Sequence, residues 1–273
     1  MLIDAHTHIR KGSKGPHCVK ALVASMKKNG IDKAIVIADS HEDDCTNAQV
    51  LRAVAPYRGK LFPVVTMSPF YDRPDVELFE EWLCEKIIYG LKFYPGYEHF
   101  YPGDELFMET FRPYLRLLQK YKRPAMFHSG DLLKNDPDSP SSKLKYARPI
   151  YIDDVAAEMP KLKIVLCHMG WPFVTEAAAV CYKNDNVVTD LSGFVYGKFT
   201  PKDREDFQHY LGEFRRVCDD PKRLLFGTDW PVADDHESYL YSIRGLIPKK
   251  EHELVFCRNA VRVFGLEEEF GLK

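Results

Sequence analysis

The chain has 273 residues, of which 45% are hydrophobic and 29% are charged, and its formal net charge is −2. These values are typical of a globular protein and give no overall attraction to nucleic acid or to an anionic membrane. No stretch approaches the roughly 20 apolar residues that span a bilayer, and the N-terminus lacks the basic and apolar regions of a secretory signal. We therefore expect a cytoplasmic protein that acts on a small molecule.

The seven cysteines are scattered along the chain and form no Cys-x-x-Cys pair. An odd number without regular spacing argues against a disulfide framework and against a cysteine zinc site. We expect reduced thiols, which fits the cytoplasm. The sequence leaves the oligomeric state open, a homodimer included.

The first predicted strand, residues 2–8, contains His6 and His8 at the end of an apolar run. Side chains at positions i and i+2 of a strand point to the same side, so both imidazoles can reach one metal ion. Imidazole is a good ligand for Zn, Fe, Ni or Cu. The pair therefore predicts a metal site at the end of this strand.

Apolar runs and helical patterns alternate along the rest of the chain. Further strands are predicted at residues 33–39, 61–67, 90–95, 124–128, 163–168, 187–192 and 223–229, and helices at 19–29, 46–55, 74–85, 106–121, 152–159, 170–182, 202–218, 237–246 and 249–264. Strands that alternate with helices pair in parallel, with the helices outside. Eight such units predict an α/β protein, a single (β/α)8 TIM barrel over residues 1–273. A doubly wound open sheet is the alternative, but no Gly-rich phosphate loop follows any strand.

The predicted strand ends carry a set of polar residues. In a barrel these C-terminal ends meet at one mouth. They supply His6, His8, Lys92, His128, His168 and Asp229. A single strand-end histidine is often satisfied by a backbone carbonyl, but so many such residues at one mouth predict a functional site.

Several short motifs follow one another in order. They are Asp4-Ala5-His6-Thr7-His8, Phe127-His128-Ser129-Gly130, Cys167-His168-Met169-Gly170, Gly227-Thr228-Asp229-Trp230-Pro231 and, near the end, Asn259-Ala260. Together they resemble the amidohydrolase superfamily, in particular its amidohydrolase-related (amidohydrolase 2-like) branch of TIM-barrel metal-dependent hydrolases. That branch includes lactonases and non-oxidative decarboxylases, and the resemblance extends over the whole chain.

The resemblance implies that His6, His8, His128 and Asp229 hold one divalent metal, for which we favour Zn. Asp229 would accept the proton of the attacking water, and His168 would either steady a developing oxyanion, handle a proton or bind a second metal. The chemistry agrees, because a metal with an open position lowers the pKa of bound water toward ~7, and a neighbouring carboxylate can take its proton.

Lys92 leaves the number of metals open. Lys92-Phe93-Tyr94-Pro95 resembles the Lys-Leu-Tyr-Pro of dihydroorotases, whose lysine is carbamylated and bridges two metals, which would make Lys92 and His168 ligands. Many members of the amidohydrolase-related branch instead keep a lysine and one metal, and Lys92 would then pair with Asp4 or Asp190. We favour one metal per chain, since a sequence cannot show carbamylation.

The predicted mouth loops suggest the substrate. Basic residues lie on this side at Arg10, Lys11, Lys14, Arg73, Lys143, Lys145, Arg148 and Lys198. Such residues can bind a carboxylate, although acidic residues share the rim, and aromatic residues there could line a pocket for a ring. We expect Tyr94, Tyr97, Trp171 and Arg148 to contact an anionic substrate, and Asp190 and Ser192 to orient the metal ligands by hydrogen bonds.

Three functions fit the sequence. The one we favour is a metal-dependent hydrolase of a small cyclic ester, amide or related carbonyl compound. The second is a non-oxidative decarboxylase that uses the same metal. The third, a binding protein with a structural metal, is disfavoured because every ligand position is filled.

Overall fold

The computed structural model describes residues 1–10, 18–39, 46–71, 73–133, 141–233 and 235–271. Within them, eight strands form one parallel sheet whose order follows the chain. They are β1 (Ile3–His8), β2 (Lys33–Ile37), β3 (Leu61–Thr66), β4 (Leu91–Phe93), β5 (Pro124–Phe127), β6 (Lys163–Leu166), β7 (Val187–Asp190) and β8 (Leu224–Leu225). The sheet closes because the Ala5 N–H donates to the Phe226 carbonyl over 2.9 Å. The predicted TIM barrel is therefore confirmed.

Helices surround this barrel. They are α1 (Val19–Asn29), α2 (Asn47–Val54), α3 (Val76–Cys84), α4 (Pro95–Glu98), α5 (Glu105–Lys120), α6 (Ile152–Glu158), α7 (Val174–Lys183), α8 (Pro201–Val217), α9 (His236–Leu246) and α10 (Asn259–Phe264). Apolar residues at helical spacing bury one face of each longer helix, as Phe107, Phe111 and Leu115 do in α5. The short α4 lies in a segment expected to be a loop, and a π-helical turn at Leu254–Arg258 interrupts the last predicted helix.

Several strands end earlier than their apolar runs predict. The eighth was expected to reach residue 229, yet only Leu224–Leu225 is paired as a strand. His168 and Asp229 both have a φ of 64°, in the left-handed region, so the chain leaves the ladder before them. The strand ends therefore turn their polar side chains into the mouth instead of continuing the sheet.

The N-terminal end of the barrel is plugged by apolar side chains. Residues such as Ile35, Phe62 and Val165 fill the interior and pack against Val261 and Phe264 of α10. Arg123 and Lys163, next to the N-terminal ends of β5 and β6, donate to backbone carbonyls of this helix. The polar strand-end residues predicted from the sequence lie at the opposite end.

β1 carries one extra residue relative to β2. Asp4 is opposite Ala34 and Thr7 is opposite Val36, so three steps along β1 match two along β2. Such a bulge resets the alternation of side chains. Ala5 can therefore join the apolar interior while His6, the next residue, also faces inward.

No helix of the described chain is both long and apolar enough to cross a membrane. The described cysteines are Cys18, Cys84, Cys167, Cys181, Cys218 and Cys257, and all of them are free thiols. The free thiols do not conflict with the reduced state expected from the sequence.

Candidate metal centre

Three potential ligands converge at the C-terminal mouth of the barrel. Nε2 of His8 lies 3.1 Å from Oδ1 of Asp229, and Nε2 of His6 lies 3.5 Å from the same oxygen. One ligand atom from each of the three lies within 4.8 Å of the others, and the Asp229 side chain is only 13% exposed. The structure thus brings together three of the four predicted ligands of the first metal.

Hydrogen bonds determine which nitrogen of each histidine is free. Nδ1 of His6 lies 2.9 Å from Oδ2 of Asp190, and Nδ1 of His8 lies 3.1 Å from the carbonyl of Ile37. Because both oxygens are acceptors, each Nδ1 carries a proton and each Nε2 is left to face Asp229. Nε2 of His6 is buried and has no hydrogen-bond partner within the described chain. Imidazoles held in this way by outer acceptors suit a metal ion.

The charges at this point also call for a cation. Burial, reinforced by the positive charge of Lys92, lowers the pKa of His6 to about 3, so His6 is neutral at physiological pH. Burial opposes ionisation of Asp229, but the surrounding imidazoles, His8 first among them, hold its pKa below the usual range. An ionised carboxylate therefore faces the lone pair of a neutral imidazole, and a divalent ion between them would supply the missing charge. The donor set fits a metal.

Asp190 organises the neighbouring histidine as well. The backbone N–H of His168 and the hydroxyl of Ser192 donate to Oδ1 of Asp190 over 2.9 and 2.5 Å. Since the hydroxyl hydrogen is used in that bond, Ser192 Oγ accepts from Nδ1 of His168 at 2.9 Å. His168 therefore also keeps Nε2 free, and burial lowers its pKa. These contacts agree with the supporting role expected for Asp190 and Ser192.

Lys92 is fully buried, with Nζ 2.9 Å from Sγ of Cys167. The expected pairing with Asp4 or Asp190 is not among the contacts of the described residues. Asp4 instead accepts from the hydroxyl of Thr228 at 2.7 Å. Burial raises the pKa of the Cys167 thiol, although the charge of Lys92 acts in the opposite direction.

Cys167 was not among the predicted site residues. It forms, with His6 and His168, a second group whose ligand atoms lie within 4.8 Å of one another. The cysteine spacing in the sequence argued against such a site, but spacing is informative only when the ligands come from one segment. The position of Cys167 directly before a predicted site histidine was the available signal.

His128 lies beside this cluster and not within it. Its ring centroid is 4.9 Å from that of His168. Its Nε2 donates to the carbonyl of Asp131 over 2.7 Å, so Nδ1 is the nitrogen left for a ligand. It belongs to neither group of possible ligands found among the described residues. Its role as a metal ligand stays a prediction.

Tyr94 and Tyr97 form a wall beside His128, with ring centroids 6.1 and 5.0 Å from the imidazole. The Tyr94 hydroxyl donates to the Ala38 carbonyl, and the Tyr97 hydroxyl accepts from the Leu133 N–H, both over 3.1 Å. Tyr94 therefore offers ring surface rather than a hydroxyl donor, and Tyr97 presents its ring to the same imidazole.

The predicted cation Arg148 is turned away from the centre. Its guanidinium pairs with Glu176 on α7, and its side chain is 46% exposed. Lys11 and Lys14, which the sequence also placed at the mouth, lie outside the described residues. Trp171 differs, because its Nε1 is buried without a hydrogen-bond partner in the described structure.

Unpartnered polar atoms concentrate at the mouth. Buried polar groups are nearly always hydrogen-bonded, so exceptions often mark ligand sites. Six such side-chain atoms are found among the described residues, and four of them belong to residues near the end of β1 or after β1, β4 and β6. They are His6 Nε2, Arg10 Nε, Glu98 Oε2 and Trp171 Nε1. Burial raises the pKa of Glu98 to about 8. A hydrogen bond with Ser68 opposes this shift, and the charge of Asp39 adds to it. Glu98 was not among the residues predicted for the site.

The comparison with known families identifies the chain. A family model described as amidohydrolase matches residues 3–266, nearly the whole sequence. The chain belongs to the amidohydrolase family and is an enzyme of that family, which confirms the resemblance seen in the motifs. A comparison with curated proteins gives no significant match.

Solved structures share the fold over almost their full length. An uncharacterised TIM-barrel protein from Bordetella bronchiseptica has a TM-score of 0.72 and 18% identity, covering 97% of this chain and 98% of its own. A probable 2-pyrone-4,6-dicarboxylic acid hydrolase from Acinetobacter baumannii, with citric acid bound, has a TM-score of 0.67 and 16% identity, covering 97% and 99%. A 5-carboxyvanillate decarboxylase from Novosphingobium aromaticivorans, with bound manganese and 3-methoxy-4-hydroxy-5-nitrobenzoic acid, has a TM-score of 0.66 and 13% identity, covering 97% of each chain. At these identities the similarity shows the fold alone.

Replacing Gly193 should damage the centre. Gly193 has a φ of +68°, and an added Cβ would lie 2.4 Å from Nδ1 of His168 and 3.1 Å from Oδ2 of Asp229. We expect Gly193→Ala to displace His168 and to weaken zinc binding about 10- to 100-fold, as measured by calorimetric titration. The control is Gly197→Ala, because Gly197 has a φ of +87° but nothing within 4 Å. Equal zinc affinities in the two variants would contradict this reading.

The buried carboxyl of Glu98 should appear in the pH dependence of stability. The folded protein keeps its proton up to a pKa of about 8, whereas the ordinary value is 4.5. The free energy of unfolding therefore falls as the pH rises from 4.5 to about 8, and below 4.5 this group does not lower it. We expect Glu98→Gln to gain stability relative to wild type across that interval in urea denaturation. The exposed Glu109→Gln serves as the control, and parallel curves for Glu98→Gln and wild type would rule out the shift.

Proposed function

We propose that this enzyme is a metal-dependent hydrolase of a small cyclic ester, amide or related carbonyl compound that carries a carboxylate. The observation that carries the proposal is the convergence of two imidazole Nε2 atoms, from His6 and His8, on the carboxylate of Asp229 in an amidohydrolase-family barrel. We keep the expectation of a cytoplasmic protein, which the free described cysteines favour.

His6, His8 and Asp229 would hold one divalent ion, with His128 and His168 beside it. Nitrogen and carboxylate ligands with an open position suit Zn, although the same set accepts Mn or Co. When bound, such an ion supplies Lewis acidity for polarising a carbonyl and activating water.

Asp229 is the group that would move the proton. Its carboxylate is ionised and 13% exposed, so it can take a proton from an attacking water and deliver it to the leaving group. Because Gly193 has no side chain, the space beside Oδ2 of Asp229 stays open for a reactant.

His168 is better suited to accept than to donate. Its Nδ1 proton is directed at Ser192, and burial lowers its pKa, so Nε2 carries a lone pair. Stabilising an oxyanion, as expected from the sequence, would require a proton on that nitrogen. We therefore assign His168 the role of proton acceptor or metal ligand.

The substrate class follows from the unpartnered atoms at the mouth. Nε of Arg10 and Nε1 of Trp171 are buried N–H donors without acceptors in the described chain, and a substrate carboxylate or carbonyl would satisfy them. Arg10 thus replaces Arg148 as the favoured anion-binding residue. Glu98, whose raised pKa keeps it protonated at neutral pH, can donate a hydrogen bond to the same ligand. The name of the Acinetobacter neighbour, a hydrolase of a cyclic ester with two carboxylates, points to the same class.

Activity should depend on the anionic group of the substrate and on Asp229. We expect the zinc-loaded enzyme to hydrolyse carboxylated lactones or cyclic amides faster than their uncharged analogues, as measured by pH-stat or absorbance assays. Asp229→Asn should lower kcat by about 100-fold or more, since the proton acceptor is lost. The control Asp219→Asn changes an aspartate that is 72% exposed. No turnover across a broad panel of esters, amides and imines, or an Asp229→Asn variant as active as the control, would reject the hydrolase proposal.

Decarboxylation is the alternative that the aromatic mouth favours. The ring of Tyr97 packs against His128. The Tyr196 hydroxyl donates over 2.9 Å to Asp131, whose carbonyl binds the same histidine. Aromatic surface therefore lies beside the candidate site and suits an aromatic acid. A decarboxylase would release carbon dioxide from hydroxylated benzoates without net uptake of water. The two activities are therefore separated by assaying carbon dioxide release on the same enzyme preparation.

One metal per chain is the stoichiometry we expect. The buried side chains of Lys92, Asp190 and Asp229 together carry one net negative charge. Carbamylation of Lys92 would change this to three negative charges and favour a second ion. Lys92→Glu should destabilise the protein in urea denaturation, because it removes the buried cation, whereas Lys20→Glu at an exposed site should have little effect. Two tightly held metals per chain by elemental analysis, with reconstitution that depends on bicarbonate, would overturn this expectation.

A further inference from the structure

Cys167 has no role in the proposed reaction, yet it lies at the base of the metal centre. It follows β6, is fully buried, and its Sγ lies within 4.8 Å of the ligand atoms of His6 and His168. The shared ligand His6 makes this group continuous with the His6–His8–Asp229 group. A thiol in this position is more than interior packing, because it faces imidazole nitrogens and not only apolar side chains.

We propose that Cys167 is a sulfur ligand of the metal centre, which makes the site selective for thiophilic divalent ions. The inference rests on the proposed function, because it concerns the same ion. It adds a donor atom, and with it a metal preference, to the ligand set that the family resemblance implies.

The imidazole nitrogens next to Cys167 are free to share an ion with it. Nδ1 of His6 is bonded to Asp190, and Nδ1 of His168 is bonded to Ser192, so both histidines keep Nε2 for a ligand. Nε2 of His6 is buried and unpartnered among the described residues. The ligand atoms of these two histidines and Cys167 lie within 4.8 Å of one another, which is close to the distance that an ion with Zn–N and Zn–S bonds of about 2.0–2.3 Å can bridge.

Lys92 supplies the charge that a buried thiolate needs. Its Nζ lies 2.9 Å from Sγ, and no other hydrogen-bond acceptor of Nζ is found within the described residues. A fully buried ammonium is costly unless an anion is beside it. When the ion binds, the thiol proton leaves to solvent. Lys92, the thiolate, Asp190 and Asp229 then carry a net charge that one divalent ion neutralises.

A sulfur ligand changes which metal the site prefers. Thiolate binds Zn, Co and Cd well, whereas Mn and Mg prefer oxygen donors. The wild-type enzyme should therefore take zinc or cobalt from a mixture that also contains manganese.

Cobalt loading tests the sulfur bond without an activity assay. The protein titrated with Co(II) should develop a thiolate-to-cobalt charge-transfer band in the near ultraviolet that saturates with the bound ion. Cys167→Ser should abolish the band. Cys181→Ser, which changes an equally buried cysteine outside the centre, should keep it. The preference for zinc over manganese in a competition titration should fall at least about tenfold in Cys167→Ser only.

The outcomes separate this inference from the proposed function. Cobalt binding without the charge-transfer band, or a band that survives in Cys167→Ser, overturns the role of Cys167 and leaves the hydrolase proposal standing. Failure of the wild type to bind any divalent ion rejects both. Should Cys167→Ser fail to fold, X-ray absorption on the zinc-loaded wild type decides, since sulfur at bonding distance supports the inference and nitrogen and oxygen alone overturn it.

Discussion

The candidate metal centre depends on the seam where β1 meets the end of the chain's last strand, and one carboxylate holds that seam. Oδ1 of Asp4 accepts from the backbone N–H groups of His6 and Thr228, each over 3.1 Å, and Oδ2 accepts from the Thr228 hydroxyl. The N–H of Asp229 in turn donates to the His6 carbonyl over 2.8 Å. Burial of a carboxyl group is costly unless hydrogen-bond donors satisfy it, and here they do. The contacts that close the barrel therefore also bring His6 next to Asp229.

A second carboxylate determines the chemistry that those ligands can perform. Asp190 accepts from Nδ1 of His6 and, through Ser192, sets the free nitrogen of His168. One side chain thus orients two imidazoles so that both direct Nε2 into the mouth. The same bonds make His168 a proton acceptor rather than a donor, which is why its expected role in stabilising an oxyanion is disfavoured.

The sequence predicted the barrel because its apolar runs and helical patterns alternate without interruption. It predicted His6, His8 and Asp229 at one mouth because the strand ends meet there, and the family resemblance then selected them, with His128, as metal ligands. It could not show the bulge in β1, since Ala5 and His6 are adjacent and an unbroken strand would turn them to opposite sides. Nor could it show that Arg148 binds Glu176, because that choice depends on how α7 packs. Cys167 was missed for a related reason, since its partners His6 and Lys92 come from other strands.

The two ends of the barrel differ in how well their groups are satisfied, and this difference follows from function. At the plugged end, residues such as Phe264 pack the interior, and Arg123 donates through Nη1 to backbone carbonyls while its Nε stays unpartnered in the described structure. At the mouth, His168 and Asp229 adopt left-handed backbone angles, and four buried polar atoms lack partners within the described chain. Each such strain or orphaned group costs roughly 1–3 kcal/mol, which the packed end must offset. A metal cation together with an anionic ligand would satisfy the unpartnered atoms. The less stable end of the barrel is therefore the end that is suited to bind a ligand.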